Sequence, residues 1–401
     1  MDARQTDPSA ADLNYLSFAL RLARRGYGRT SPNPMVGAVL VKDGRIIGRG
    51  WHRRAGLPHA EIEALRDAQK HGHNPHGATL YVTLEPCSTQ GRTPPCTEAI
   101  IAAGIRRVVI GTIDPNPRHS GQGLAILKRA RVAVDAFGVP RLRGRLKAEL
   151  QTLADECARL NDAFNHWIVQ RTPFVTVKAA MTLDGKIATA AGESKWITGE
   201  KARACAMKLR RGADAILVGI NTILADDPSL TARTKGEDGT WRTAKPIRRI
   251  ILDSMARTPL SAKVVSDEFG ALTTVVVSRR APKNRVAALA GRVKVLIAPL
   301  AELPIGKRRS AISLRWLLNE LGRENVTSLL VEGGGEVNAS FLLGGLAHRV
   351  AFFYAPKILG GRDARKAVAG KGARSLAQAL SLRDVEWKNI DGDLMMTAQV
   401  V

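Results

Sequence analysis

Pro58-His59-Ala60-Glu61 heads a helical pattern that runs to Lys70, and residues 78–103, ATLYVTLEPCSTQGRTPPCTEAIIAA, follow as a strand, a loop and a second helix. In that second stretch Ala78–Leu84 is apolar and strand-like, Glu85-Pro86-Cys87 ends it, and Cys96 precedes the helical run Thr97–Ala103. A lone His-x-Glu usually marks only a surface helix start, and two cysteines nine positions apart are often buried thiols. Set on a helix start, a strand end and a helix start in this order, the three residue types read together as one constellation.

One imidazole and two thiolates make three protein ligands, which leaves the fourth tetrahedral position of a zinc ion open for water. Zinc lowers the pKa of such a water, and a carboxylate beside it carries protons to a departing amine. The reading therefore makes His59, Cys87 and Cys96 the metal ligands and Glu61 the proton carrier. Zinc nucleobase deaminases carry H-x-E followed by P-C-x-x-C. Here the first half matches, while Pro86-Cys87 is followed by eight residues, Ser88–Pro95, before Cys96.

Before this constellation, Asp12–Arg25 reads as an opening helix stopped by Gly26, with Leu13, Leu16, Leu20 and Ala23 on one face. Val36–Val41 and Arg45–Gly50 form a hairpin through Asp43-Gly44, a dipeptide that tolerates positive φ. Beyond it, Arg106–Thr112 is strand-like, and a further helix and strand lead to Phe137. Between Pro140 and Thr172 the positions Leu142, Leu146, Leu150, Leu153, Cys157, Leu160 and Phe164 step by three or four, which predicts one amphipathic helix. The domains expected are residues 1–145, a linker helix over 146–172, and residues 173–401.

The second run begins at Pro173-Phe174-Val175-Thr176-Val177-Lys178 and holds strands near 214–219, 247–253, 273–278, 327–332 and 349–355. A closing hairpin follows from Val385–Ile390 and Leu394–Val401. Alternating strands and helices predict an α/β fold, mostly parallel after the first hairpin. Segments 233–246 and 279–310 are polar or proline-bearing and carry no clear pattern. Val331-Glu332-Gly333-Gly334-Gly335 ends a strand and starts a helix, where backbone amides can receive a phosphate. No G-x-G-x-x-G follows an early strand, which disfavours a Rossmann domain.

The length of 401 residues suits about two domains. An apolar content of 45% excludes whole-chain disorder. The first residues show no apolar run followed by a cleavage site, and nowhere do about 18 apolar residues run together. A cytoplasmic protein without membrane contact is expected. Four cysteines, at 87, 96, 157 and 205, are too sparse for a disulfide framework, and Cys157 and Cys205 read as packing residues. The net charge of +25 invites a nucleic-acid partner, yet the arginines are dispersed and aromatics reach only 4%. A dispersed, solvated surface is the reading favoured, ahead of a nucleic-acid surface and of local pockets for small phosphorylated ligands.

These residues resemble the bifunctional deaminase–reductase family of riboflavin biosynthesis. The matching stretches are Pro32-Asn33-Pro34 with Val36-Gly37, His59-Ala60-Glu61, Thr83-Leu84-Glu85-Pro86-Cys87, Gly91-Arg92-Thr93-Pro94-Pro95-Cys96 and Asp114-Pro115-Asn116-Pro117. In the second half they are Lys178, Leu183-Asp184-Gly185, Gly192 to Thr198, Leu224-Ala225-Asp226-Asp227-Pro228 and Val331-Glu332-Gly333-Gly334. The eight-residue cysteine loop is itself a mark of that family. After Cys87 the family often carries Ser-His, whereas this chain has Ser88-Thr89-Gln90.

The resemblance implies a cytidine-deaminase-like three-layer first domain and a dihydrofolate-reductase-like second domain, with Zn²⁺ and NADPH as cofactors. It implies a diaminopyrimidinone substrate carrying a ribosylamino 5′-phosphate, deaminated in the first domain and reduced to a ribityl compound in the second. Asn33 and His52 would line the first pocket, with Arg92 near the phosphate. In the second domain it assigns Ser194, Arg210, Leu230, Arg233 and Glu332 to substrate. Ala180, Trp196, Thr222, Asp226, Ser254 and the turn Gly334, Gly335, Glu336, Val337, Asn338, Ala339 and Ser340 go to the cofactor. Lys178, on a strand otherwise apolar on both faces, is expected to point into the site and polarise the sugar carbonyl. A homo-oligomer through the reductase domain is expected. The competing readings are a deaminase of a nucleic-acid base and a non-catalytic nucleic-acid-binding protein with a structural zinc, which usually has four protein ligands rather than three.

Overall fold

Asp43 and Gly44 both take positive φ, 50° and 72°, and close a tight hairpin between β1 (Gly37–Lys42) and β2 (Arg45–Trp51). Such turns match the right-handed twist of the strands they join. A computed structural model describes residues 9–90, 94–137, 145–235, 240–300 and 312–401. The chain divides into two units, Met1–Arg171 and Thr172–Val401.

In the first unit the helix α1 (Ala10–Ala23) precedes the hairpin, and α2 (Ala60–Lys70), β3 (Thr79–Val82), α3 (Cys96–Ala102), β4 (Arg107–Ile110), α4 (Gln122–Arg129) and β5 (Ala133–Ala136) follow it. The sheet order is β2-β1-β3-β4-β5. β1 runs antiparallel to both neighbours, and β3, β4 and β5 are parallel. Because strand side chains alternate between faces, Ala38, Leu40, Leu80, Val82 and Val108 pack with Ala64, Ala68, Ile100 and Leu127 of the helices on one side. Val39, Val41, Tyr81 and Val109 pack with Leu16, Ala19 and Leu20 on the other. Two helical layers around one sheet result.

Gly50 decides how closely α2 approaches. A Cβ there would stand 2.3 Å from the carbonyl oxygen of Ala60, so only glycine lets the first turn of α2 rest on β2.

The segment expected as a single linker helix forms two, α5 (Arg145–Leu160) and α6 (Asp162–Gln170). Leu150, Leu153, Ala154 and Cys157 share a core cluster with α1, so α5 belongs to the layer structure of the first unit. The break falls at Asn161, whose buried amide makes two hydrogen bonds: Oδ1 accepts from Met35 N at 2.7 Å, and Nδ2 donates to Met35 O at 2.9 Å.

The second unit opens with β6 (Phe174–Thr182), β7 (Lys186–Ala188), α7 (Glu200–Gly212), β8 (Ala215–Gly219) and α8 (Ile220–Asp226). The segment around 233–246 that lacked a pattern forms β9 (Ala232–Lys235) and β10 (Trp241–Lys245), which pair as a ribbon. Next come β11 (Arg248–Leu252), the short α9 (Lys263–Ser266), β12 (Thr273–Ser278), α10 (Lys283–Ala290), β13 (Lys294–Ala298), α11 (Leu314–Arg323), β14 (Ser328–Val331) and α12 (Gly335–Leu342). Last are β15 (Arg349–Ala355), β16 (Arg365–Lys366), β17 (Leu382–Ile390) and β18 (Asp393–Val400). Nine strands form one sheet in the order β13-β12-β11-β8-β14-β6-β15-β18-β17.

From β13 to β15 every pairing is parallel, and only β18, set between β15 and β17, runs antiparallel to its neighbours. Both faces of the parallel part are covered, one by α11 and α12 and the other by Ile223, Val264, Val265 and Leu289. This is why its strands read as continuous apolar runs rather than as alternations. The chain winds outward from β8 to β13, then returns to place β14 between β8 and β6. In open α/β sheets such a reversal leaves a crevice outside the carboxyl ends of the strands.

Candidate active sites

In the first unit the start of α2, the segment after β3 and the start of α3 bring the metal-ligand types together. His59 caps α2 with extended backbone, and Cys96 begins α3. His59 Nδ1 lies 3.5 Å from Cys87 Sγ and 3.3 Å from Cys96 Sγ, and the three ligand atoms fall within 4.8 Å of one another. A tetrahedral zinc with ordinary Zn–S and Zn–N bonds holds its sulfur and nitrogen ligands about 3.6 Å apart. The donor set fits the ion in type and in spacing.

The electrostatics of the cluster point the same way. A hydrogen bond from the Cys96 thiol, with burial opposing it and the His59 imidazole assisting, brings Cys87 down to about 4. Cys96 keeps its proton, pushed up by the same bond and by burial. A divalent cation displaces such a proton when both sulfurs ligate it. Glu61, two residues past the histidine, is buried, and burial reinforced by the Cys87 charge pushes its carboxyl up to about 7.

Asn33 and His52 are brought to this cluster. Pro58 O can only accept, so His52 Nδ1, 3.1 Å away, carries the proton. His52 Nε2 then accepts from Asn33 Nδ2 at 3.2 Å. Burial lowers the His52 pKa and keeps the ring neutral, and the His52 and His59 rings stand nearly perpendicular with centroids 5.3 Å apart. Arg92 lies outside the described residues.

Two residues of this site escaped the sequence reading. Glu85 is buried, and its carboxylate accepts from the backbone N–H groups of Asp114, Gly121 and Gly123 at 2.9–3.1 Å. It locks the 114–123 loop two residues before Cys87. Asn161 holds Met35 and with it the turn that carries Asn33. The Thr83–Cys87 motif was a signal for Glu85, whereas nothing near Asn161 in sequence signalled its partner 126 positions away. Thr89, where the family pattern departs, places its hydroxyl 3.4 Å from His119 Nδ1.

In the second unit Lys178 of β6, Arg210 of α7 and Glu332 at the end of β14 converge. Arg210 Nε and Nη2 donate to the two Glu332 oxygens at 2.8 and 2.9 Å, and Lys178 Nζ stands 3.5 Å from the same carboxylate. Burial alone would raise the Glu332 carboxyl, but the charges of Arg210 and then Lys178 outweigh it and bring it to about 2. Lys178 also lies 5.8 Å from the Phe353 ring centroid. Arg210 further donates to Thr231 O at 3.2 Å.

Elsewhere in the second unit Ser194 Oγ donates to Asp226 Oδ1 at 3.3 Å. Trp196 is 66% exposed with the Arg203 guanidinium 4.6 Å from its ring centroid. Lys357 Nζ donates to the carbonyls of Trp196 and Ile197 at 3.1 and 2.9 Å. Thr222 sits in α8, Ala180 on β6 and Ser254 just beyond β11, while Arg233 is exposed on β9.

Leu230 takes positive φ, 52°, and buries its side chain, so it offers the crevice backbone rather than side chain. At 334–340, Asn338 and Ala339 are buried, and Asn338 Nδ2 donates to Ala367 O at 2.8 Å. Gly335 is required by packing, since a Cβ would stand 2.2 Å from Lys366 O, whereas Gly334 faces open space. The start of α12 can therefore be approached at Gly334.

Residues 9–112 match the cytidine and deoxycytidylate deaminase zinc-binding region, and residues 173–396 match the RibD C-terminal domain. Fold and site thus define a class, a zinc-binding deaminase unit joined in one chain to a reductase unit. The chain is 42% identical over 385 residues to the riboflavin biosynthesis protein RibD of Aquifex aeolicus, covering 96% of this chain and 97% of that one. It is 37% identical over 393 residues to the Escherichia coli RibD, covering 96% and 98%. Among solved structures it is similar to Acinetobacter baumannii RibD, with TM-score 0.79, 34% identity and coverage of 98% and 99%. It is equally similar in fold to the diaminohydroxyphosphoribosylaminopyrimidine deaminase/5-amino-6-(5-phosphoribosylamino)uracil reductase of Thermotoga maritima, with TM-score 0.78, 34% identity and the same coverage. The chain belongs to the RibD family of bifunctional riboflavin biosynthesis enzymes.

Proposed function

We propose that the first unit hydrolyses the ring amine of 2,5-diamino-6-ribosylamino-4(3H)-pyrimidinone 5′-phosphate, and that the second reduces the ribosyl group of the product to ribityl. The observation that carries the reading is the convergence of His59, Cys87 and Cys96 beside the buried Glu61, in a chain that also carries a second α/β unit. Residues 1–145 would form the deaminase domain, 146–172 the connecting helices and 173–401 the reductase domain.

His59, Cys87 and Cys96 would hold zinc, which when bound lowers the pKa of water in its open position. Glu61 takes the proton of the attacking water and delivers it to the departing amine, so that water and an N=C–NH₂ unit of the ring become an HN–C=O unit and ammonia. Neutral His52 orients the Asn33 amide and leaves its carbonyl to meet the edge of the pyrimidine. Arg92 would bind the 5′-phosphate.

In the second unit NADPH when bound supplies the hydride, against Ala180, Trp196, Thr222, Asp226, Ser254 and the turn from Gly334 to Ser340. Lys178 polarises the sugar C1′ centre that accepts the hydride. Glu332, neutralised by Arg210, holds Lys178 in place. Ser194, Arg233 and the Leu230 backbone complete the substrate side. We infer a cytoplasmic enzyme, consistent with the absence, among the described residues, of any helix long and apolar enough to cross a membrane.

We also infer a homo-oligomer formed through the outer strand β17, where Val385 and Trp387 are exposed on an edge that pairs with no further strand among the described residues. Sedimentation should show an oligomer that Trp387→Glu dissociates. Mass spectrometry of the product formed with and without NADPH tests the activity. A mass increase of one unit without cofactor and of two further hydrogens with it is expected, and an unchanged pyrimidine overturns the reading.

A further inference from the structure

The carboxyl ends of β14, β8, β11 and β12 lie along one edge of the parallel sheet. The reducing centre at Glu332 and Lys178 sits at the β14 and β6 end of that edge. From β14 to β12 is three strand steps, about 14 Å at the usual interstrand spacing. An extended nicotinamide dinucleotide whose reactive ring lies at the β14 end therefore brings its adenosine ribose to the loops after β11 and β12.

Those loops are basic. Ser278 ends β12, and its Oγ and N donate to Ser254 O at 2.8 and 3.1 Å, which binds the two loops together. Ser278 Oγ also accepts from Arg280 N at 3.1 Å, a local turn that sets Arg279 and Arg280 exposed directly after the strand. From the neighbouring loop Arg257 reaches the start of α8, donating to Asn221 Oδ1 at 3.2 Å. Asp253, at the start of the first of these loops, is buried and accepts from Thr258 N and Oγ1, both at 2.7 Å. Among the described residues neither Arg257, Arg279 nor Arg280 forms an ion pair with a carboxylate. Unpaired guanidinium groups on two tied loops present the planar donor forks that phosphate monoesters engage.

We propose that Arg279 and Arg280, with Arg257, form the subsite that reads the 2′-phosphate of the reduced dinucleotide and so set the preference for NADPH over NADH. This rests on the assignment of a nicotinamide cofactor to the second unit and adds the residues that choose between its two forms.

Calorimetric titration of the full chain with NADP⁺, NAD⁺ and the fragment 2′,5′-ADP tests it without catalysis. The unaltered chain is expected to bind NADP⁺ at least about tenfold tighter than NAD⁺, with the preference falling as salt rises. The pair Arg279→Ala and Arg280→Ala should weaken NADP⁺ and 2′,5′-ADP about tenfold and leave NAD⁺ unchanged, the last showing that the unit is folded. Arg279→Lys with Arg280→Lys should keep only part of the preference, because an ammonium supplies the charge without the planar fork. Unchanged NADP⁺ binding in the alanine pair, or equal losses for NADP⁺ and NAD⁺, would overturn the subsite while leaving the cofactor assignment standing. Equal affinity of the unaltered chain for both dinucleotides would overturn the subsite and the NADPH assignment together.

Discussion

The two sites are built in opposite ways. In the first unit three donors of the kind zinc prefers come from within 37 positions, each at an element end that its own local sequence defines. In the second unit Arg210 and Glu332 are 122 positions apart, and each sits in a segment whose pattern describes only a helix or a strand. The first site is a motif held on a scaffold, while the second exists only once a nine-stranded sheet has closed. Chemistry concentrated in one motif survives changes in distant packing, whereas chemistry assembled by topology shares its energetics with the fold.

The largest expected effect separates the two units outright. Cys87→Ser should leave two of three ligands and remove zinc from the purified chain by elemental analysis. Ammonia release should be abolished, while NADPH oxidation on the already deaminated intermediate continues. Full metal content in that variant would sink the ligand assignment.

Glu61→Ala tests the proton carrier apart from the metal. Zinc should stay bound while ammonia release falls by about 10²- to 10⁴-fold, the usual weight of a general acid–base group. Reduction of the intermediate should be unchanged. Parallel loss of both activities would count against separate sites.

The second unit should respond in stability as well as in rate. Glu332→Gln leaves Arg210 and Lys178 without their shared counter-charge, and breaking a buried pair of this kind costs about 3–5 kcal/mol. Denaturant unfolding of the second unit should shift while zinc content and ammonia release stay normal. Because the folded Glu332 pKa, about 2, lies below the ordinary carboxylate value of 4.5, its stabilising contribution is complete above pH 4.5. That contribution is lost as pH falls from 4.5 toward 2. The pH dependence over that window should flatten in the variant, and an unaltered acid limb would remove the pair from the account.

The smallest effect probes how far the first site depends on distant packing. Asn161→Ala leaves Met35 N and O without their partners, at about 1–3 kcal/mol. KM for deamination should rise with zinc content intact, because the turn carrying Asn33 loosens. A variant with unchanged KM would show that the Asn33 turn stands without Asn161.

Several features could be read before any coordinates. The Asp43-Gly44 turn, the helix starts at His59 and Cys96 and the strand that leads toward Cys87 follow from local rules of φ, periodicity and capping, so the metal cluster was legible too. The parallel strands of the second unit were legible as apolar runs because both their faces are buried. The hairpin of β9 and β10 was not, since its residues are polar and its pairing supplies the order. The break between α5 and α6 was hidden as well. A step of three or four continues smoothly through Asn161, and only the partner at Met35 explains the interruption.

The sequence by itself determined that this chain carries a zinc-type donor set with an adjacent carboxylate and a second α/β unit, because spacing and residue type are local properties. Tertiary structure alone decided which distant charges meet. Glu332 is a strongly held carboxylate only because Arg210 and Lys178 are folded against it in a buried setting. Glu85 is a loop clamp only because three backbone donors converge on it. Pairing at long range is set by sheet order and packing, and neither is written in the spacing of residues along the chain.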